Sequence, residues 1–236
     1  MAGAIAASEL ILMFSAPGPG EVLGVGVAGA IPLVAAFAER GVLLPGWAPL
    51  ALACATVVLL GVVLFRDAPL EQAPRSIAGV SLAWLYCGLL LATLVGLRSY
   101  GVGWVILAFV ATWANDTFAY FAGHAFGRHK LFERISPKKT WEGFAGGAAG
   151  SVVGALVTRL LFPELAVISV PAAVVIGAGA AVLGPMGDLA ESMVKRAAGV
   201  KDSGKIIPGH GGLLDRIDAL LFVSPWVYLC AAHLAR

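Results

Sequence analysis

The chain has 236 residues, of which 59% are hydrophobic and only 13% are charged. A soluble domain usually carries about 25% charged residues. The apolar excess here recurs along the whole chain, so the composition argues against an ordinary soluble domain and favours a polytopic membrane protein. The formal net charge of +2 is too small to indicate a nucleic-acid partner. Local clusters of charge therefore carry the functional information.

Seven segments are apolar and long enough to cross a bilayer, since a spanning helix needs roughly 20 mainly apolar residues. The predicted spans are Val22–Ala38, Leu44–Phe65, Ile77–Leu97, Val102–Phe121, Gly143–Phe162, Ala166–Gly187 and Leu213–Leu234. A further, incomplete element is expected at Ser8–Phe14. The predicted fold is all-α, a polytopic integral membrane bundle of seven to eight transmembrane helices.

Lys and Arg residues cluster in two loops, Ala122–Thr140 and Asp188–Gly212, and the loop Arg66–Ser76 adds two arginines. Two predicted spans separate the first two loops, so these loops lie on one side of the membrane. Loops rich in Lys and Arg remain in the cytoplasm. We therefore expect a multi-pass protein of the cell membrane whose basic loops face the cytoplasm.

The fifth predicted span contains glycines at spacings of three and four residues. Small residues placed in this way let helix backbones approach closely in lipid. The pattern indicates either packing within the bundle or a dimer face. The residues are Gly143, Gly146, Gly147, Gly150 and Gly154.

Acidic residues stand at the ends of two apolar segments. Asp188 closes the sixth span, and Asp215 and Asp218 open the seventh, three residues apart and so on one helix face. Ionisable groups at the edge of a bilayer usually face a cavity, and converging carboxylates are natural ligands for a hard cation such as Mg²⁺. The alternative is that these acids cap helices and pair with nearby Lys and Arg side chains. Asp116, near the cytoplasmic end of the fourth span, could likewise coordinate a cation or pair with a basic residue.

The stretch that connects these acids mixes bases with glycines. Glycines let a backbone approach a ligand closely, amides at a helix start favour an anion, and Lys and Arg donate to phosphate. This combination is typical of a phosphate site, although a basic loop with a flexible turn would also explain the charges. His210 could be a phosphate donor, a proton carrier or a turn residue. The bases are Lys195, Arg196, Lys201 and Lys205, and the glycine pair is Gly211 and Gly212.

A second basic segment, Gly127–Gly143, contains Lys138 and Lys139 after Ser136 and Pro137. The Ser-Pro pair is similar to a helix entry. The two lysines are suited to the phosphate of a lipid or of a nucleotide, or to anionic headgroups at the membrane surface.

The run SMVKRAAGVKDSGKIIPGHGGLLDRID, from Ser192 to Asp218, resembles the long signature of the phosphatidate cytidylyltransferase family, also called CDP-diacylglycerol synthases. Three further blocks are similar to the same family: DTFAY at Asp116–Tyr120, SPKKTWEG at Ser136–Gly143 and GDLAES at Gly187–Ser192. The motifs cover the C-terminal half of the chain. The N-terminal half is similar in hydropathy alone.

The resemblance implies an integral membrane enzyme that requires Mg²⁺ and converts CTP and phosphatidic acid into CDP-diacylglycerol and pyrophosphate. It also implies a homodimer in the lipid bilayer, with no nucleic-acid partner, and a catalytic region at residues 101–236. Residues 1–100 would hold the N-terminal transmembrane helices. Because family members usually begin with additional hydrophobic spans, this N-terminal region is expected to be short.

Chemistry and resemblance together give each candidate residue an expected role. Asp188 and Asp215 would hold the metal, with Asp218 and then Asp116 as further ligands. The catalytic residues would be Asp188, Asp215, Lys201 and Arg216, and the substrate-binding residues Lys138, Lys139, Ser192, Lys195, Arg196, Lys205, His210, Gly211 and Gly212.

Two rival functions are consistent with parts of the sequence. A related enzyme could use CTP with another lipid phosphate, which only an assay with both acceptors would distinguish. An ion or phosphate transporter could use Asp116 and the paired carboxylates as a cation path. Transporters often contain internal repeats, and no repeat is evident in this sequence.

Overall fold

The structure is a computed structural model that describes residues 1–39, 47–206 and 211–235. Its described residues are mainly helical, which confirms the predicted all-α class. The helices are α1 (Ala2–Leu12), α2 (Pro19–Glu39), α3 (Trp47–Leu64), α4 (Ala73–Ala83), α5 (Leu90–Gly96), α6 (Val102–Phe126), α7 (Trp141–Leu161), α8 (Val170–Ala197) and α9 (Leu214–Leu234). A π-helical segment, Trp84–Leu89, joins α4 to α5. Two short strands, β1 (Lys130–Phe132) and β2 (Ser136–Thr140), pair antiparallel.

The number of membrane-spanning helices differs slightly from the prediction of seven. Among the described residues, six helical segments are long and apolar enough to cross a membrane. One of them, Leu70–Tyr100, runs through α4 and α5 and so exceeds the predicted span Ile77–Leu97. The apolar helices at Ala2–Leu12 and Ala51–Leu64 are shorter, and the predicted start of the second span, Leu44, lies outside the described residues.

The chain folds into two compact units. One, called here the N-terminal unit, comprises Met1–Val95 together with Ala198–Arg216. The other, the C-terminal unit, comprises Gly96–Ala197 together with Ile217–Arg236. The basic loop that begins at Ala198 therefore groups with the N-terminal helices, whereas the sequence-based division places it with residues 101–236.

Hydrogen bonds of polar side chains link the helices of the N-terminal unit to one another. The indole nitrogen of Trp84 donates to the carbonyl oxygen of Gly24 in α2 at 3.1 Å. The buried carboxylate of Glu21 accepts from Arg66 at 3.0 Å and from the hydroxyl of Ser76 at 2.7 Å. Because a buried charge is costly unless it is paired and hydrogen-bonded, this cluster ties α2 to the start of the Leu70–Tyr100 segment.

The glycines of α7 are used for packing within the C-terminal unit. A Cβ atom added at Gly150 would lie 2.7 Å from the carbonyl oxygen of Ala114, and one at Gly147 would lie 2.9 Å from the Asn115 side chain. Both neighbours belong to α6. The small-residue stripe therefore allows α6 and α7 to approach closely, which favours the packing interpretation of the pattern.

Helix α8 continues well beyond Gly187, where the sixth span was predicted to end, so Asp188 lies inside the helix and not at its end. The prediction stopped where the apolar residues stop. Helical hydrogen bonding does not require apolar side chains, and polar pairs four residues apart support the extra turns. Ser192 lies 3.3 Å from Asp188, and Lys195 lies 2.5 Å from Glu191.

The predicted helix entry at Ser136–Pro137 is wrong, because these residues belong to strand β2. Proline is tolerated there since a two-stranded hairpin consists of edge strands. Helix α7 begins one residue after the strand, at Trp141, and Thr140 is its N-cap, accepting from the amide of Gly143 at 3.1 Å. The hairpin is thus joined directly to α7.

Candidate active site

The C-terminal unit contains a cavity of about 640 Å³ between α6, α7, α8 and the β1–β2 hairpin. It combines carboxylates, ammonium groups and aromatic side chains. Four residues predicted to form the site line it: Asp116, Lys138, Lys139 and Asp188. Other lining residues include Asn115, Tyr120, His124, Lys130, Thr140 and Pro185.

Three carboxylates from three different helices lie within electrostatic range of one another: Asp116 of α6, Asp188 of α8 and Asp218 of α9. Asp218 is 8% exposed. A close crossing of α8 and α9 brings the last two together, since a Cβ atom at Gly187 would stand only 2.5 Å from the carbonyl oxygen of Asp218. Carboxylates held together in this way repel each other unless a cation lies between them.

Lys139 supplies a cation at this position. Its ammonium nitrogen lies 2.6 Å from the Asp188 carboxylate and 3.4 Å from the carbonyl oxygen of Pro185. It also lies within electrostatic range of Asp116. The side chain reaches this point because β2 ends at α7 beside the cavity.

Asn115 is placed by a proline in the facing helix. Pro185 has no amide hydrogen, so the carbonyl oxygen of Ala181 lacks its usual partner four residues on. The buried side-chain amide of Asn115 donates to that oxygen at 3.3 Å. This bond joins α6 to α8 one residue away from Asp116.

The donor set of this cavity fits Mg²⁺, the cofactor implied by the resemblance. Hard divalent cations prefer carboxylate oxygens, and Asp188 already binds a cation in the form of the Lys139 ammonium. Within residues 1–39, 47–206 and 211–235, no three His, Cys, Asp or Glu side chains stand close enough to hold a metal ion. Binding would therefore require the carboxylates to draw together around the ion.

The remaining candidates of the C-terminal unit lie along α8. Lys195 is largely buried and its ammonium group contacts Glu191, which is 1% exposed. Ser192 contacts Asp188, whereas Arg196 is exposed. Lys195 is also within electrostatic range of Asp218, so its charge compensates two acids in the helix pair.

The other candidates belong to the N-terminal unit. One carboxylate oxygen of Asp215, Oδ2, accepts from the amide of Ser203 at 2.9 Å, the hydroxyl of Ser203 at 2.9 Å and the amide of Gly212 at 2.8 Å. Gly211 has a φ of +82°, which a side chain would strain. The exposed bases of this unit are Lys201, Lys205 and Arg216. His210 lies outside the described residues.

Tyr120, His124, Lys130 and Thr140 line the cavity but were not predicted as site residues from the sequence. Two of them, Tyr120 and His124, could have been predicted from their spacing in the sequence. Asp116, Tyr120 and His124 follow one another at intervals of four residues in α6, so they share one helix face. Lys130 could not be found in this way, because it reaches the cavity only through the pairing of β1 with β2.

The long apolar helices define a multi-pass integral membrane protein, and one of its cavities is lined by Asp116, Asp188, Lys138 and Lys139. Comparison with known proteins makes this class more specific. The model of the family described as "Cytidylyltransferase family" matches residues 1–234. The chain belongs to this family.

Several curated relatives are named phosphatidate cytidylyltransferase. One from Thermotoga maritima is 39% identical over 185 residues, which are 77% of this chain and 68% of the relative. One from Bacillus subtilis is 42% identical over 158 residues, or 65% of this chain and 57% of the relative. One from Staphylococcus saprophyticus is 43% identical over 150 residues, or 64% of this chain and 54% of the relative. The matched segments thus span about half to two thirds of the length of these relatives.

Proposed function

We propose that this chain transfers the CMP group of CTP to phosphatidic acid, producing CDP-diacylglycerol and pyrophosphate. The observation that supports this most directly is the cavity lined by Asp116, Asp188, Lys138 and Lys139, in which Lys139 contacts Asp188. Membership of the cytidylyltransferase family and relatives named phosphatidate cytidylyltransferase support the choice of substrates.

The two lysines of β2 are proposed to bind the phosphate of the lipid. They stand on a hairpin joined to a helix whose first residue, Trp141, is 56% exposed, and tryptophan is favoured at membrane interfaces. The acyl chains can then remain in the bilayer while the headgroup enters the cavity. The exposed bases Lys201 and Lys205 of the N-terminal unit are proposed to contact the triphosphate.

In the proposed reaction, an oxygen of the lipid phosphate attacks the α-phosphorus of CTP. The bond from that phosphorus to the bridging oxygen of the β-phosphate breaks, and pyrophosphate leaves with the electron pair. The attacking phosphate is already ionised at neutral pH, so no general base is needed. Phosphoryl-type transfer depends mainly on positioning and on neutralising charge, and the lysines of this chain serve both needs.

Mg²⁺ bound within the C-terminal unit by Asp188, with Asp116 and Asp218 as the further candidates, would supply charge neutralisation at the nucleotide phosphates. Lys139, which contacts Asp188, is proposed to bind the lipid phosphate in the substrate complex. Lys195 would remain against Glu191 and keep the buried end of α8 neutral.

The proposal is tested with the purified chain in liposomes, supplied with labelled CTP and with phosphatidic acid or an isoprenoid-type lipid phosphate, each with and without Mg²⁺. A labelled CDP-lipid that forms only with phosphatidic acid and Mg²⁺ is the expected product. Product formed from the other acceptor alone would identify a different lipid substrate. Absence of a nucleotide-dependent product from both would refute the proposal.

We further propose that the cavity opens toward the cytoplasm, because CTP is a cytoplasmic solute and the basic hairpin obeys the positive-inside rule. Glu133 is exposed. Glu133→Cys, in a variant whose Cys54, Cys87 and Cys230 are replaced by alanine, should react with a membrane-impermeant maleimide in inside-out vesicles and not in intact cells. The reverse pattern would contradict the orientation. A homodimer is proposed from the family resemblance, and cross-linking in the membrane should give a band of twice the monomer mass.

A further inference from the structure

Glu9, in the first helix of the N-terminal unit, is a buried carboxylate with backbone partners far away in sequence. It is 4% exposed. Its oxygens accept from the amide of Leu213 at 3.0 Å and from the amide of Leu214 at 2.8 Å. These amides stand at the start of α9, where a helix leaves its first N–H groups without internal partners. A carboxylate at that position is stabilised by the hydrogen bonds and by the helix dipole.

Glu9 and Asp215 share a third group, the side chain of Ser203. The hydroxyl oxygen of Ser203 lies 3.2 Å from Glu9 and 2.9 Å from Asp215. Its one proton can serve only one carboxylate at a time, while the backbone amides of Ser203 and Gly212 donate to Asp215. Two carboxylates, one from α1 and one from α9, therefore bind Ser203 and the backbone amides of residues 212–214.

The glycines of this loop make room for these carboxylates. A Cβ atom at Gly212 would lie 2.5 Å from a Glu9 oxygen, and one at Gly204 would lie 2.6 Å from the other oxygen. A Cβ atom at Gly211 would lie 2.5 Å from Asp215. All three distances are shorter than real Cβ contacts. Gly204, Gly211 and Gly212 are thus explained by close approach of the backbone to protein carboxylates.

We propose that Glu9 is a positioning residue for the nucleotide site: it holds the loop so that Lys201 and Lys205 are presented to the triphosphate of CTP. This inference rests on the proposed function. The amides of Leu213 and Leu214 already donate to Glu9, so the start of α9 does not offer these two amides to a phosphate. α1 thereby contributes to substrate binding without contacting the substrate.

The test compares Glu9→Gln and Glu9→Ala with the control Glu71→Gln, an exposed glutamate of the same unit. Glutamine keeps the size of the side chain but replaces one acceptor oxygen with a donor that faces a backbone amide. Each variant is purified in liposomes, its thermal midpoint is measured, and KM is determined separately for CTP and for phosphatidic acid. Trypsin cleavage after Lys201 and Lys205 reports the order of the loop independently of any activity.

In Glu9→Gln, the KM for CTP should rise about tenfold, as loss of one hydrogen bond to a charged group would give, with the KM for phosphatidic acid unchanged. Trypsin cleavage after Lys201 and Lys205 should also be faster than in the unsubstituted protein. Both the rise in the KM for CTP and the increase in cleavage rate should be larger in Glu9→Ala than in Glu9→Gln. Glu71→Gln should match the unsubstituted protein in every measurement.

Equal trypsin cleavage in Glu9→Gln and in the unsubstituted protein would overturn the proposal. So would a fall in kcat with both KM values unchanged, because a general loss of structure would act in that way. If the unsubstituted protein forms no CDP-lipid, the proposed function fails. The trypsin comparison then still decides whether Glu9 orders the loop.

Discussion

Replacing Gly187 by alanine should disable the site without unfolding the protein. The added Cβ atom would stand 2.5 Å from the carbonyl oxygen of Asp218 and 3.0 Å from the Cα atom of Ala219, both of which are backbone atoms. Ordinary contact begins at 3.4 Å, so α8 and α9 must separate by about 0.9 Å. Overpacking of this kind costs about 1–3 kcal/mol of stability, and a displacement of about 1 Å at reacting groups lowers rates by about 10²-fold.

Gly184→Ala is the matched control, because it lies one turn earlier in α8 and its added Cβ would be 3.7 Å from a side-chain atom of Val223. The gain in helix propensity, about 1 kcal/mol, is the same for both substitutions. Formation of CDP-lipid from labelled CTP is measured for both variants, together with their thermal midpoints. Gly187→Ala should lose about 100-fold in kcat while Gly184→Ala stays near the unsubstituted value. Equal activity in the two variants would refute the argument that the tight crossing positions Asp188 against Asp218.

Three further substitutions test the cavity and the hairpin beside it. Asn115→Leu leaves the carbonyl oxygen of Ala181 without its side-chain donor, so stability should fall by about 1–3 kcal/mol; a thermal midpoint equal to that of the unsubstituted protein would contradict this. Lys139→Ala should raise the KM for phosphatidic acid about tenfold and leave the KM for CTP unchanged, and the opposite split in steady-state kinetics would assign this lysine to the nucleotide. Glu142→Gln replaces with a donor one of the two carboxylate oxygens that bind the amide and the ring nitrogen of His129, so hydrogen exchange in the hairpin should accelerate; unchanged exchange would show that the pairing of the strands alone holds it.

The fold class was predictable because the membrane imposes a simple requirement. Backbone groups in lipid must be satisfied within a helix or a closed barrel, so runs of apolar residues locate helices directly. The same rule predicted the end of α8 too early, at Gly187. Asp188 and the residues after it are polar, but side-chain pairs support the continuation of the helix to Ala197. The β1–β2 hairpin was missed because its segment carries a Ser-Pro pair and has no regular alternation of apolar residues.

The composition of the site was predictable only in part. Charged residues are rare in this apolar chain, and Asp116, Asp188, Lys138 and Lys139 were predicted as site residues on that basis. Their grouping in one cavity depends on backbone approaches that leave little trace in sequence, such as the contact of Gly187 with α9. Asp215 shares Ser203 with Glu9, which lies 194 residues before Ser203 in the chain, and no local pattern connects the two carboxylates.

The central claim is that the cavity containing Asp188 is the site of CMP transfer. It is tested most directly by measuring CDP-lipid formation from CTP and phosphatidic acid by Asp188→Asn, with the exposed Asp67→Asn as the control for loss of one negative charge. Asp188→Asn, still present in the membrane with an unchanged thermal midpoint, should form no detectable product, while Asp67→Asn should be fully active. Near-normal turnover by Asp188→Asn would contradict the account, because the transfer would then take place without the carboxylate around which this cavity is built.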